Sequence, residues 1–194
     1  MDQSLREELI AMRAEDLRVR EELLQSGELD RGYVPRMEAV HRQNASRLKQ
    51  IIAEHGWPDQ DLVGEDGTLA AWLIAQHAIG EPDFQRHALS LVQEKVKQGK
   101  VPAAQEAYLL DRVAMYERRP QRFGTQSLLC ADGQYRRWET EDPDRLNERR
   151  AAVGLPALAD DPPETDPTPQ SLAEHQEWLR GYEEWLQRAG WRQV

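Results

Sequence analysis

The chain has very little cysteine and no long hydrophobic run. Cys130 is the single cysteine among 194 residues, which excludes an intrachain disulfide framework and any metal cluster built from several cysteines. No apolar run approaches the roughly 18 residues needed to cross a bilayer. The first residues, MDQSLREELI, are acidic and amphipathic, not a basic segment followed by an apolar one, so we expect no signal peptide and a cytoplasmic protein.

Positive charge is scarce as well. The formal net charge at pH 7 is −10, which argues against nucleic acid and anionic membrane surfaces as partners, because both require clustered lysine and arginine. A small anionic ligand stays open, since a few local arginines can act inside an acidic protein. Hydrophobic residues make up 39% of the chain and charged residues 31%, which is typical of a helical protein with a sizeable core and solvated outer faces.

Hydrophobic residues at helical spacing predict five long helices. We expect them over about 4–26, 35–55, 68–79, 82–98 and 102–118. Ser4 and Glu7 form a capping box at the start of the first helix. The stretch GWPDQDLVGEDG, between the second and the third, contains the glycines and proline of a loop.

The period of the pattern changes at Gly124. The segment TQSLLCADGQYRRWE contains two short strand-like runs around Asp132–Gly133, which predicts a β-hairpin over about 124–139. A short helix is predicted next, between Pro143 and Gly154. The expected fold class is therefore mainly α, a bundle of about five helices with a small β-hairpin, a short helix and an appended C-terminal helix.

Composition divides the chain into three segments. Residues 1–158 are the predicted helical domain with its hairpin. Residues 159–169 are an acidic, proline-rich linker, a composition that cannot bury enough apolar surface to order itself. Residues 170–194 return to helical spacing as an amphipathic, tryptophan-rich helix, which must dock either on its own domain or on a partner.

Several polar side chains fall on or beside faces that are otherwise apolar. They are Gln76 and His77 on the third predicted helix, Gln85 on the fourth, Asp111 and Arg112 on the fifth, and Gln121, Thr125 and Gln126 in the loop RRPQRFGTQ. A buried polar group costs free energy unless it finds a partner. These residues therefore form either a network that satisfies itself or a pocket that takes a ligand.

If the cluster is a pocket, the residue types suggest its roles. The imidazole of His77 is the usual acid–base group near neutral pH, with Asp111 as its orienter or proton partner. The guanidinium of Arg112 can anchor an anionic or polar substrate. Asn44 and the glutamines would line the pocket. His55 is a candidate second acid–base group, although a histidine in the last helical turn also complements the helix dipole.

The sequence contains no motif that is typical of metal binding or phosphate binding. Neither an HExxH pair nor another metal-ligand spacing is present, and GEDG lacks the lysine and the length of a phosphate-binding loop. His41, His87 and His175 have no supporting pattern. We therefore expect neither a metal nor a cofactor.

Five strings together resemble an uncharacterised bacterial family, a domain of unknown function, over about residues 5–158. The strings are LKQIIAEHGWP, LVGEDG, AAWLIAQHA, LLDRVAMYERRPQRFGTQ and EDPDRLNERRAAVGLP. The resemblance implies no established activity. It does imply typical positions that overlap the cluster above: Asp16, Arg20, Asn44, Gly56, Trp57, Pro58, Gln76, His77, Gln85, Asp111, Arg112, Gln121, Gly124, Thr125, Gln126, Asp142, Pro143, Arg149 and Arg150.

Three positions depart from what the resemblance implies. Relatives tend to have a polar residue in place of Leu17, an aspartate in place of His41 and an acidic residue at Ile79. If a carboxylate at position 41 or 79 orients His77 or binds a cation, this chain has lost it, and the family activity is altered or gone.

Two functional hypotheses follow. The first is a cofactor-free small-molecule enzyme of hydrolase or lyase type, which requires His77, Arg112 and Gln126 to converge on one accessible hollow. The second is a non-catalytic interaction or accessory protein that binds a partner, or a second copy of itself, through residues 170–194. Trp178, Trp185 and Trp191 in that segment are of the residue type that anchors interfaces.

Overall fold

The computed structural model of the protein describes residues 1–28, 33–163 and 165–192. This part of the chain holds seven α-helices and one two-stranded sheet, so the predicted mainly α fold with a small hairpin is confirmed. None of its helices is both long enough and apolar enough to span a bilayer. Glu164 of the predicted linker and residues 193–194 of the predicted last segment lie outside the described residues.

The first of two compact units is Met1–Glu106. Helix α1 spans Gln3–Gln25, α2 spans Pro35–His55, α3 spans Gln60–His77 and α4 spans Pro82–Lys97, while α5, Ala103–Tyr116, begins in this unit. Helix α1 packs mainly against α3 and also against α2. Its buried stripe includes Leu5, Leu9, Val19 and Leu23, at the spacing of one helical face.

The second compact unit is Ala107–Val194. It contains strands β1, Ser127–Leu129, and β2, Tyr135–Arg137, which pair antiparallel with Leu128 opposite Arg136. The predicted hairpin is thus present, and Gly133 takes the positive φ of 79° that its turn requires. Helix α6, Leu146–Ala152, and helix α7, Pro169–Ala189, follow. The three segments predicted from composition have other boundaries than these two compact units, and the predicted division stays a prediction.

The start of α3 corrects one prediction. The stretch expected as loop is helical from Gln60 onward, because Asp59 caps the helix by accepting hydrogen bonds from the backbone N–H groups of Asp61 and Leu62. Gly64 interrupts the helix with φ 72° and ψ 176°, a conformation open almost only to glycine. The glycine signal therefore marks a kink inside a helix and not a loop.

The N-terminal cap of α1 is a second correction. Asp2, and not Ser4, is the capping residue, and its side chain accepts a hydrogen bond of 3.0 Å from the backbone N–H of Leu5. The backbone N–H of Asp2 also donates to the carbonyl of Leu62 at 2.6 Å. This link to α3 fixes the chain two residues before the predicted cap, which the local sequence pattern does not reveal.

The proline-rich segment after α6 has no helix or strand in its described part, yet the hairpin binds it. The side chain of Arg136 donates to the carbonyls of Pro162 and Pro163, and Arg137 donates to the carbonyl of Ala159 at 2.7 Å. Its order therefore comes from arginines outside the segment, since its own composition supplies little apolar burial.

Helix α7 places its aromatic residues against the end of α5 within the second unit. The ring of Tyr116 lies 5.8 Å from that of Trp185 and 4.9 Å from that of Trp191, centroid to centroid. Leu186 is fully buried beside them in sequence. Such aromatic pairs stabilise a packing beyond the area they bury. The docking of this helix on its own chain, one of the two predicted alternatives, is what these contacts support.

Candidate functional site

A buried carboxylate lies on the apolar stripe of α1. Asp16 falls in helical register with Leu9 and Val19, and only 1% of its surface is exposed. A buried charge is very costly unless other groups pair with it. The partners of Asp16 come from α2 and α3, the two helices against which α1 packs.

Two histidines provide these partners. The ring Nδ1 of His77, the last residue of α3, donates a hydrogen bond of 2.8 Å to Oδ1 of Asp16. The ring Nε2 of His41, on α2, lies 3.4 Å from Oδ2 of Asp16. The centroids of the two imidazole rings are 5.2 Å apart. We call these three residues, Asp16, His41 and His77, the Asp16 cluster.

Electrostatics keep Asp16 ionised. Burial raises the pKa of this carboxyl, but contacts with His41 and His77 outweigh burial and hold its pKa well below its ordinary value. An ionised Asp16 accepts from Nδ1 of His77, which leaves the lone pair of a neutral His77 ring on Nε2. The His77 side chain is 18% exposed, whereas His41 and Asp16 are almost entirely covered.

Neighbouring residues hold the cluster in place. The Tyr33 hydroxyl and Nδ1 of His41 share a hydrogen bond of 2.9 Å. Asn44, one turn after His41, donates its side-chain amide to the backbone carbonyl of Met12 at 3.3 Å. Asn44 therefore joins α2 to α1 near Asp16, and the pocket-lining role predicted for it stays a prediction.

Gln85 positions the helix end that carries His77. Its side-chain amide donates to the backbone carbonyls of Ala75 at 2.7 Å and Gln76 at 3.0 Å. The last carbonyls of a helix have no partner within the helix, so Gln85, from the first turn of α4, completes the end of α3. Gln76 is itself 3% exposed. Gln85 therefore contacts the backbone of the two residues that precede His77, and the ligand-binding roles predicted for both glutamines stay predictions.

A second polar arrangement surrounds Asp111 in the other unit. Its carboxylate, which is fully buried, accepts hydrogen bonds between 2.8 and 3.1 Å from backbone N–H groups of the following loop. The donors are Arg122, Phe123 and Thr125, and the Thr125 hydroxyl adds a further bond of 3.0 Å. Burial raises the pKa of Asp111 above its ordinary value, although these hydrogen bonds lower it. The carboxylate thus holds a loop, and the carboxylate that contacts His77 is Asp16.

The loop residues of this arrangement use their side chains internally. The Gln121 amide donates to the carbonyls of Gln126 and Trp138, and its oxygen accepts from the Gln126 backbone N–H at 2.8 Å. The Gln126 amide donates to the Thr125 hydroxyl at 3.0 Å. Arg150 donates to the carbonyl of Phe123 at 2.6 Å. These contacts favour the self-satisfied network over the pocket for this group of predicted residues.

Arg112 and His55, the two remaining predicted site residues, lie on α5 and α2. Arg112 is half-buried on α5, and its charge lowers the pKa of Tyr116 against the larger, opposite effect of burial. His55 is exposed in the last turn of α2, with its Nε2 3.6 Å from a carboxylate oxygen of Glu54. That is the position in which a histidine complements the helix dipole, the alternative predicted for it.

Two surface pockets bear on the predicted hollow. One of about 370 Å³ lies in the second unit, between the hairpin and α7, where Leu128, Trp138 and His175 contribute to its wall. The other, of about 230 Å³, lies in the first unit beside Arg42, Gly80 and Phe84. Within the described ranges, neither pocket has His77 or Gln126 in its wall. The hollow shared by His77, Arg112 and Gln126 stays a prediction.

The residue pattern alone did not identify Asp16 and His41 as site residues, although the sequence contains an indication of each. Asp16 interrupts the apolar stripe of α1 between Met12 and Val19, and only the family resemblance singled it out. His41 follows Met37 by four residues and precedes Asn44 by three, so it lies on the buried face of α2. Position 41 lies beside His77, with the two ring centroids 5.2 Å apart.

Comparison with family models matches most of the chain. A family model covers residues 3–161 of the chain. The chain belongs to this family of unknown function, DUF6624. The predicted membership of an uncharacterised family is thereby confirmed, and DUF6624 spans all three residues of the Asp16 cluster as well as Asp111. No curated protein and no solved structure gives a significant match to the chain.

Proposed function

We propose that the protein is a cofactor-free small-molecule enzyme of hydrolase or lyase type in which His77 is the general acid or base. The observation that carries the proposal is the 2.8 Å hydrogen bond from Nδ1 of His77 to the buried Oδ1 of Asp16. A buried carboxylate on one ring nitrogen fixes the tautomer and orientation of an imidazole whose other nitrogen exchanges protons with a substrate.

Asp16 takes the role that the sequence pattern suggested for Asp111. It touches no substrate in this proposal, and it acts by orienting His77 and by stabilising the imidazolium that forms during proton transfer. His41, on the other carboxylate oxygen, helps to keep Asp16 ionised. Gln85 acts one step further away, because it holds the helix end that carries His77.

We assign substrate entry to the pocket beside Arg42, Gly80 and Phe84. A Cβ atom at Gly80 would lie 3.6 Å from the ring of Tyr33, whose hydroxyl is bonded to Nδ1 of His41, so Tyr33 links a residue of the pocket wall to the Asp16 cluster. Its volume of about 230 Å³ suits a small substrate. The Arg42 guanidinium at its wall is paired with Glu38, and Glu81 and Asp83 line the same pocket, so we expect Arg42 to donate to a polar substrate group in addition to Glu38. The anchoring role predicted for Arg112 remains a proposal.

The first test replaces His77 by glutamine, which keeps a polar side chain of similar size but cannot exchange a proton near neutral pH. With a panel of small esters, amides and carboxylate-bearing elimination substrates, we expect turnover to fall at least about 100-fold in His77→Gln. The exposed His87 provides the matched control, and His87→Gln should retain turnover within about twofold.

Circular dichroism of both variants separates loss of the fold from loss of the base. Asp16→Asn should also lower turnover, with kcat reduced more than KM is changed, since the carboxylate does not touch the substrate. The proposal fails if the panel shows no turnover by the unmodified protein, or if turnover survives in a folded His77→Gln variant.

We also infer a bacterial, cytoplasmic protein. The bacterial source is supported by the resemblance of the sequence to a bacterial family, and the cytoplasm by the single cysteine, because disulfide-rich chains are typical of oxidising compartments. Fractionation of the source cells with an antibody against the chain tests it, and recovery in a secreted or membrane fraction would contradict it.

The alternative function, an interaction protein that uses residues 170–194, is favoured by one specific observation. Leu172 and Leu179 on α7 are 40% and 37% exposed, whereas Trp185 and Trp191 pack on Tyr116 of the same chain. If α7 joins two copies through this exposed edge, the double variant Leu172→Ser, Leu179→Ser should convert a dimer into a monomer in light scattering. A monomer before and after the change contradicts self-association.

A further inference from the structure

The Asp16 cluster has the composition of a metal site. Candidate ligand atoms of Asp16, His41 and His77 all lie within 4.8 Å of one another. Zinc binds imidazole nitrogen and carboxylate oxygen at about 2.0–2.2 Å, so two ligands on a tetrahedral ion lie about 3.4 Å apart. The distance between Oδ2 of Asp16 and Nε2 of His41 is 3.4 Å. This pair therefore already has the spacing of two ligands on one ion.

The same two atoms lack ordinary partners. Among the described residues, Oδ2 of Asp16 and Nε2 of His41 are buried and make no hydrogen bond of normal geometry. Asp16 is 1% exposed and His41 8% exposed, so water offers little compensation. A direct N–H···O bond prefers about 2.7–3.2 Å. The gap is too long for a good hydrogen bond, and it suits a cation that both atoms contact.

The surroundings of the cluster resemble the support of a metal site. Histidines that bind metals usually have their other ring nitrogen in a hydrogen bond, which sets the tautomer. His41 meets this condition, because its Nδ1 is bonded to the Tyr33 hydroxyl while its Nε2 faces Asp16. The charge is suitable as well, since one carboxylate and two neutral imidazoles partly neutralise a divalent ion. Imidazole and carboxylate together favour zinc or a neighbouring transition ion over calcium or magnesium.

We propose that a divalent transition-metal ion of the zinc type binds to Asp16, His41 and His77, and that the bound ion switches off the acid–base role of His77. The second half of this statement rests on the proposed function. A neutral imidazole has one lone pair on its ring nitrogens, so a ring that binds the ion has none left to accept a proton. Two of the three ligands are buried, which leaves little access for a metal-bound water to replace His77 as the base.

The binding test uses the full chain after chelator treatment, titrated with Zn²⁺ alone in a calorimeter and with Co²⁺ in a spectrophotometer. We expect one Zn²⁺ per chain, a raised melting temperature, and the visible absorption of a four- or five-coordinate Co²⁺ site. His41→Gln and Asp16→Asn should each weaken Zn²⁺ binding at least about tenfold. His87→Gln, which changes an exposed histidine outside the cluster, should bind as tightly as the unmodified chain.

The outcomes separate this inference from the proposed function. Absence of stoichiometric Zn²⁺ binding, or equal binding by a folded His41→Gln variant, overturns the metal site and leaves His77 catalysis standing. Zn²⁺ binding without turnover of any panel substrate supports the site and contradicts the proposed function. Where turnover exists, Zn²⁺ should inhibit it, and His41→Gln should need at least about tenfold more Zn²⁺ for the same inhibition. Activation by Zn²⁺ overturns the switch.

Discussion

Replacing Asp111 by alanine is expected to lower the free energy of unfolding by about 3–5 kcal/mol. The change removes the acceptor of three backbone N–H groups and one hydroxyl that the loop after α5 directs at a fully buried carboxylate. Each buried donor left without a partner costs about 1–3 kcal/mol, and the loop can recover some of this by moving toward water. Urea denaturation followed by circular dichroism measures the difference.

Two companion variants show whether the hydrogen bonds are the cause. Thr125→Val keeps the shape of the side chain and removes both bonds of the hydroxyl, the one it donates to Asp111 and the one it accepts from Gln126, so a loss of about 1–2 kcal/mol is expected. The loss of unfolding free energy in Asp111→Asn should lie between the losses in Asp111→Ala and Thr125→Val, because the asparagine amide presents N–H to donors that need an acceptor. A loss below about 1 kcal/mol for Asp111→Ala would contradict the role given to this carboxylate.

The second large effect is expected at Asp16. Asp16→Ala should lower the free energy of unfolding by about 2–4 kcal/mol, because it removes the carboxylate to which His77 donates and which His41 faces inside the first unit. Glu15, the exposed neighbour on the same helix, is the control, and Glu15→Ala should change stability by no more than about 0.5 kcal/mol.

The effect of Asp16 should depend on pH with a defined sign. Burial raises the pKa of this carboxyl, but His41 and His77 lower it by more than burial raises it. The folded pKa therefore lies below the unfolded value of about 3.9. Its stabilising contribution is therefore present above about pH 4 and is lost as the pH falls through the folded pKa. Unfolding curves of the unmodified chain and Asp16→Ala should converge in acid. A difference that grows as the pH falls would contradict this assignment.

Much of the fold could be predicted from the sequence because its signals are local. The bounds of α2 and the turn of the hairpin at Gly133 follow from proline, glycine and hydrophobic spacing. The start of α3 could not, since Gly64 suggests a loop unless one knows that Asp59 caps a helix before it. The cap of α1 also depends on a contact with a distant residue, Leu62.

The candidate site was predictable only in part, for a similar reason. His77 and Gln85 could be recognised because each polar side chain interrupts or borders an apolar stripe on its own helix. Helical spacing does not reveal which stripes face each other, so the partner of His77 was expected to be Asp111, whereas the hydrogen bond joins His77 to Asp16. The position of His41 depends on packing between α1, α2 and α3, which one sequence does not specify.

The hydrogen bonds from Gln85 also have a mechanical consequence. The terminal turn of α3 is anchored from a neighbouring helix, so the location of the His77 ring depends on where α4 begins. Pro82, the first residue of α4, and Phe84, in its first turn, both line the pocket beside Arg42 and lie between that starting point and Gln85. Substitutions at these two positions can therefore shift the imidazole relative to Asp16 without any change in the sequence of α3, the helix that carries His77.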